Sequence, residues 1–244
     1  MENNPLHTII DAGNTQVKIA WFKGHVLLET HIFQGFTPQV LEHLAENNAQ
    51  RIIVSSVIHM PPNFFAHFKN AQLFFLDENL PLPITNRYKT PQTLGYDRLA
   101  NAAGAVTLYP NKNSLIIDCG TCLKFDFVNL HHQYLGGAIS PGLAMRFRAM
   151  HEFTQKLPLI ETQKPDYLIG TSTKESMVSG AFNGMLAEIQ GIADQYRFEF
   201  NDVNLILTGG DHRYFADALK NNIFAHPDLT LIGLNSILNY NVNA

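Results

Sequence analysis

The sequence predicts an α/β protein of two lobes built on one plan, the first over residues 1–113 and the second over residues 114–244. Three observations predict it. Short β-branched and aromatic runs alternate with helical stretches along the chain. One device, an apolar strand ending in Asp-x-Gly and followed by a second strand-like run, occurs twice, at Thr8 to Phe22 and at Leu115 to Val128. The composition, 45% hydrophobic and 16% charged over 244 residues, is that of a globular protein large enough for a substantial buried core.

In the first lobe Thr8-Ile9-Ile10 runs into Asp11-Ala12-Gly13-Asn14-Thr15, and Val17-Lys18-Ile19-Ala20-Trp21-Phe22 returns, which reads as strand, tight turn, strand. Thr37 caps a predicted helix through Asn47; Arg51 to Val57 is a buried strand, Pro62 to Asn70 is helical and Gln72 to Leu76 is a further strand. Leu80-Pro81-Leu82-Pro83 is an extended connection, and Asp97 to Tyr109, rich in Ala and Leu, is a helix stopped by Pro110. The second lobe opens near Ser114 with three strands, the second over Leu123 to Val128 and the third over Gln133 to Ala138. Pro141 suits the first turn of a helix running towards Thr154. Ser176 to Phe198 is a long helix whose Gly180, Gly184 and Gly191 permit close packing, and Val203 to Leu207 is a strand ending at Thr208-Gly209-Gly210-Asp211.

Charge and composition exclude several function classes. The net charge is −4, and Lys and Arg are scattered rather than gathered in a stripe, which argues against nucleic-acid binding. No run approaches the ~20 apolar residues of a membrane span, and Met1-Glu2-Asn3-Asn4-Pro5 lacks the basic and apolar segments of a secretion signal, so a cytoplasmic location is expected. The two cysteines, Cys119 and Cys122, have redox-motif spacing, yet the residues after Cys122 alternate like a strand instead of opening a helix. None of the eleven histidines supplies the spacing that would complete a zinc site.

The two Asp-x-Gly turns carry the chemistry. Glycine lets the backbone approach a ligand, and successive turn N–H groups form a concave nest for phosphate oxygens. A carboxylate at the strand end can orient a hydrated Mg²⁺, which keeps several waters and takes one or two carboxylates. A single such turn reads equally as ordinary backbone geometry. Two copies, with a third strand ending in Gly209-Gly210-Asp211, point to a nucleotide triphosphate, although that last turn can equally just end its strand. No Gly-x-x-x-x-Gly-Lys-Ser/Thr loop and no Gly-x-Gly-x-x-Gly is present, so the phosphates are held by another device. Asp97 has two readings, helix N-cap or acceptor of an alcohol proton during phosphoryl transfer. Lys18 is either the solvated face of a strand or a phosphate ligand, and Arg98 either a helix-surface charge or a fork for a carboxylate.

Paired Asp-Gly-Thr hairpins with a later Gly-Gly turn resemble the phosphate and adenosine motifs of the actin-like kinase superfamily. That resemblance implies two ribonuclease-H-like lobes, mixed sheets flanked by helices, with ATP between them. Within it, the chain most resembles the type III pantothenate kinases. Asp11, Gly13, Asn14, Thr15 and Lys18 match their Asp-x-Gly-Asn-Thr-x-x-Lys signature, Gly95-Tyr96-Asp97-Arg98 their pantothenate motif, and Asp118 with Thr121 their Asp-x-Gly-Thr motif. The run Gly136 to Gly142 is similar to a characteristic stretch, Thr173 falls at a substrate-contacting position, and Cys122 departs from the usual alanine. The resemblance implies ATP binding by Asp11, Ala12, Gly13, Asn14, Thr15, Gln16, Val17, Lys18 and Thr121. It implies substrate binding by Tyr88, Gly95, Tyr96, Asp97, Arg98 and Thr173, with Asp97 catalytic. K⁺ or NH₄⁺ is expected at Asp118, Mg²⁺ near Asp11, and a homodimer involving the helices after Pro141 and Ser176. The rival readings are an actin-like kinase for another small hydroxy acid, which Gly95-Tyr96-Asp97-Arg98 speaks against, and a non-enzymatic ATP-binding regulator.

Overall fold

The computed structural model describes residues 5–13, 16–37, 39–40, 42, 44, 50–60, 64, 68, 71–219 and 223–242. In chain order the elements are β1 (Leu6–Ala12), β2 (Val17–Lys23), β3 (Val26–Phe33), β4 (Arg51–Ser56), β5 (Gln72–Phe75), β6 (Thr85–Asn86), α1 (Tyr96–Leu108), β7 (Asn113–Cys119), β8 (Cys122–Val128), β9 (Gln133–Pro141), α2 (Leu143–Glu152), α3 (Thr173–Glu199), β10 (Val203–Thr208), α4 (His212–Ala216), β11 (Ile223–Ala225) and α5 (Leu229–Val242). Of the predicted helix from Thr37 through Asn47, residues 39, 40, 42 and 44 are helical, and the remainder past Thr37 lies outside the described residues. Most of Pro62 to Asn70 lies outside them too; Phe64 and Phe68 are described and buried.

The chain divides into two compact units, one from Met1–Leu108 together with Asp228–Ala244, the other Tyr109–Pro227. The sequence reading kept everything after residue 113 in the second lobe. In the structure α5 instead packs with α1 and against β1 and β4, placing Leu231, Leu234, Ile237 and Leu238 in one cluster with Ile9, Ile53, Ala100 and Ala103. Burial of those side chains, each worth about 1.5–3 kcal/mol, outweighs sequence proximity. The helices approach closely through Gly104 and Gly233: a Cβ on Gly104 would stand 2.6 Å from the Leu229 carbonyl oxygen.

The first unit holds a five-stranded sheet in the order β3-β2-β1-β4-β5, antiparallel at β1–β2 and β2–β3 and parallel at β1–β4 and β4–β5. In the second unit the order β9-β8-β7-β10-β11 repeats that plan, with the same antiparallel and parallel pairs. Strands β1, β4, β7 and β10 carry consecutive buried residues because helices or loops cover both faces. The second core gathers Leu115, Ile117, Phe125, Phe147, Phe182 and Leu205, among others, under α2 and α3.

Two boundaries differ from the sequence reading. Pro141 closes β9, opposite Cys122, and α2 starts after Gly142, because pairing with β8 holds the chain extended to that point. Helix α3 begins at Thr173 rather than Ser176: the Ser172 hydroxyl accepts the Glu175 N–H (3.2 Å), and the Glu175 carboxylate accepts from the Thr171 N–H and hydroxyl (both 2.7 Å).

Candidate functional site

The candidate residues fall in two groups, one in each unit. In the first unit, β1 delivers Asp11 at its end, and the antiparallel register sets Asp11 opposite Lys18 and Ala12 opposite Val17. The Gly13 N–H donates to the Gln16 carbonyl (2.9 Å), closing the hairpin; Asn14 and Thr15 lie outside the described residues. Ala12 and Val17 are buried while Asp11 and Lys18 are partly exposed, so acid and base share the open face of the hairpin. On the other side of β1 the parallel register puts Ser55 beside Asp11.

The second motif of this unit is a built turn. The Asn86 side chain accepts the Tyr88 N–H (2.9 Å), a single turn of tight helix spans Pro91–Thr93, and Gly95 leads into α1. The Arg98 N–H is shared between the Gly95 carbonyl (3.1 Å) and the Asp97 carboxylate (2.9 Å). A Cβ on Gly95 would stand 2.5 Å from Asp97 Oδ1, so any side chain there would turn the Asp97 carboxylate from its present position. Arg98 is only 4% exposed and its guanidinium lies over the Tyr88 ring, 5.7 Å from its centre, within range of a cation–π interaction. The structure thus brings Tyr88, Gly95, Asp97 and Arg98 together. Tyr96 points away from them, packing on the cluster that contains Ile9 and Phe22.

In the second unit three backbone turns converge on Asp118. Its Oδ2 receives the Lys124 ammonium at 2.8 Å, with the side chains 12% and 15% exposed, and the two residues are direct cross-strand partners. On the parallel side Thr208 lies beside Asp118, after which Gly209 turns at φ +87°; a Cβ on Gly209 would overlap Asp118 Oδ1. The Asp211 N–H donates to the Cys119 carbonyl (2.9 Å). Gly142 donates to the Thr121 carbonyl (3.2 Å) and leaves no space for a side chain, since a Cβ would meet that oxygen at 2.5 Å. Thr121 is exposed at the tip. Burial raises the Asp211 carboxyl above its ordinary value against the opposing pull of Arg213, and burial, then Asp118 and Asp211, push the Cys119 thiol far up. Register also separates the cysteines: Cys119 pairs with Leu123, so Cys122 faces the opposite side of the hairpin. A Cys119–Cys122 disulfide does not fit this turn.

Thr173 stands apart from Asp118. It lines a pocket of about 510 Å³ with Met150, Leu157, Thr171, Ser176 and Met177, at the N-terminus of α3. Among the described residues no group of three or more His, Cys, Asp and Glu could cage a metal. A hydrated Mg²⁺ does not need one, and the single partly exposed carboxylate of Asp11 fits that mode.

The profile described as type III pantothenate kinase matches residues 8–195. The type III pantothenate kinase of Cytophaga hutchinsonii is 42% identical over 237 residues, which are 97% of this chain and 100% of that protein. The chain belongs to the type III pantothenate kinase family. Among solved structures, a conserved protein of Campylobacter jejuni assigned to the Baf family of transcriptional activators aligns with a TM-score of 0.64 at 19% identity, covering 97% of this chain and 100% of its own. The ROK hexokinase of Thermus thermophilus aligns with a TM-score of 0.50 at 12% identity, covering 98% and 100%. At those identities the two structures speak for the fold, that of actin-like ATPases and sugar kinases.

Sequence reasoning missed Lys124. Its signal was present: Lys18 follows the first Asp-x-Gly turn as Lys124 follows the second, and each lies directly across from the aspartate.

Proposed function

We propose that this chain transfers the γ-phosphate of ATP to the primary hydroxyl of pantothenate, giving 4'-phosphopantothenate, the entry step of coenzyme A synthesis. The observation that carries the reading is the head of α1, where Asp97 and a stacked, buried Arg98 share one turn, in a chain belonging to this family along nearly its whole length. Arg98 and Tyr88 hold the pantothenate carboxylate beside Gly95; Tyr96 supports that turn from the core side, and Thr173 is proposed as a separate substrate contact. The hydroxyl oxygen bonds to the γ-phosphorus as the bond to the bridging oxygen breaks; ADP leaves, and Asp97 takes the hydroxyl proton late, because a carboxylate is a feeble base towards a free alcohol. Positioning is its larger contribution.

Residues Asp11 to Lys18 and Thr121 serve the ATP phosphates. Mg²⁺ at Asp11 supplies charge neutralisation on those phosphates when bound. K⁺ or NH₄⁺ was expected at Asp118, and there the residues do not fit, since the carboxylate already holds an ammonium. A cytoplasmic homodimer completes the proposal. Exposed Phe153 (86%), Leu168, Ile169 and Phe198 (91%) on the surface of α2, α3 and their connection support self-association, and sedimentation tests it.

The decisive experiment measures ADP release with and without pantothenate, for the wild type and Asp97→Asn. Pantothenate-dependent turnover reduced about 10²–10⁴-fold in the variant is expected. Turnover indifferent to pantothenate would assign another hydroxy acid, and ATP binding without turnover a regulator.

A further inference from the structure

Asp118 is built to hold one positive charge, and the chain brings that charge with it. Oδ2 receives the Lys124 ammonium at 2.8 Å, and Oδ1 sits beside Gly120 and Gly209, where neither glycine has room for a side chain. The pair is mostly shielded from water, which strengthens it relative to a surface ion pair. Its geometry is set by the β7–β8 ladder, in which Asp118 and Lys124 face one another, so the ammonium is tethered within reach of the carboxylate rather than recruited from solution. Asp211 is the other carboxylate in contact with this turn through its backbone, and Arg213 offsets it.

A lysine ammonium carries the same single charge as K⁺ or NH₄⁺. We propose that Lys124 does at Asp118 what a bound monovalent cation is expected to do, so that this chain works with ATP without K⁺ or NH₄⁺. The proposal rests on the kinase reading given above. It makes Lys124 a charge-supplying residue that acts through Asp118, and it removes a cofactor from the requirements of this chain.

The test is a cation titration at constant ionic strength, with choline as the inert replacement, reading both pantothenate-dependent ADP release and ATP binding by calorimetry. For the wild type, kcat/KM and the ATP Kd change less than about twofold between choline and K⁺. A rise of tenfold or more with K⁺, about 1.4 kcal/mol, overturns the proposal without any variant being made. Lys124→Met loses about 10²-fold in choline and regains activity and ATP affinity on addition of K⁺ or NH₄⁺. Unimpaired activity of Lys124→Met in choline, or a loss that neither cation rescues, also overturns it, the second because it marks a purely structural ion pair. Absence of turnover under every cation condition would sink the kinase reading instead, and the binding titration would still decide the role of Lys124.

Discussion

Arg98 combines two demands that one residue type meets. Its guanidinium sits over the Tyr88 ring and, in the proposed reading, presents a fork to a carboxylate; only arginine offers a planar, always-charged group suited to both. Arg98→Lys keeps the charge and loses the stack and the fork, so KM for pantothenate should rise about tenfold with kcat less affected, roughly 1.4 kcal/mol of lost binding; steady-state kinetics check the split. At this scale the sequence was readable where residue type and spacing coincide, as in Asp11, Gly13 and Lys18 or Gly95, Asp97 and Arg98. Lys124 escaped because a lysine in a strand reads as a solvated side chain, and only the cross-strand register reveals its partner. Tyr96 shows the converse: it sits inside the motif and yet packs on the core.

The turn after β10 shows how an element serves a distant carboxylate. Gly209 holds a positive φ and abuts Asp118, two conditions that both exclude a side chain. Gly209→Ala should destabilise the second unit by about 1–3 kcal/mol and weaken ATP binding, measurable by urea unfolding and calorimetry. Gly209-Gly210 was legible as a turn, whereas the reason for its glycines became visible only with Asp118 beside it. Two of the longer elements escaped sequence reasoning. Strand β3 lies at a sheet edge with Val26, Leu28 and Ile32 exposed, so it lacks the alternation that marks a half-buried strand. Helix α5 is apolar nearly all round, with buried residues on most of its surface, and such a helix shows no amphipathic period.

Helix α5 also ties the first unit together through a buried polar contact. The His7 Nδ1–H donates to the Asn235 side-chain oxygen (3.0 Å), whose amide nitrogen donates to the Gly24 carbonyl (2.8 Å). His7 Nε2 is buried without a hydrogen-bond partner among the described residues, and Arg51 and His25 are the charged or titratable groups facing the ring. Burial, with Arg51 and His25 adding to it, holds the imidazole below its ordinary value of 6.5, against the raising effect of Asn235. A depressed folded-state value means that the unfolded chain takes up a proton that the native ring refuses. Stability is therefore whole above pH 6.5 and is lost as pH falls from there to the depressed native value. Half-buried His226 titrates in the same sense in the second unit. Thermal melts between pH 7.5 and 5 should fall for the wild type, and the His7→Asn slope should be shallower; equal slopes would refute the assignment.

The repeated strand order β3-β2-β1-β4-β5 and β9-β8-β7-β10-β11 was foreshadowed by the duplicated Asp-x-Gly hairpins, because a hairpin followed by parallel crossovers leaves few alternatives. The return of α5 to the first unit was not, since nothing in a residue's own chemistry tells it which of two cores it will join. That return has a consequence for biosynthesis. The ribosome releases Tyr109–Pro227 as one uninterrupted piece, so this unit can close while translation is still under way, whereas the earlier-made strands must wait for the later-made α5 to seal their core. The half of the molecule that is started first is therefore the half that is finished last.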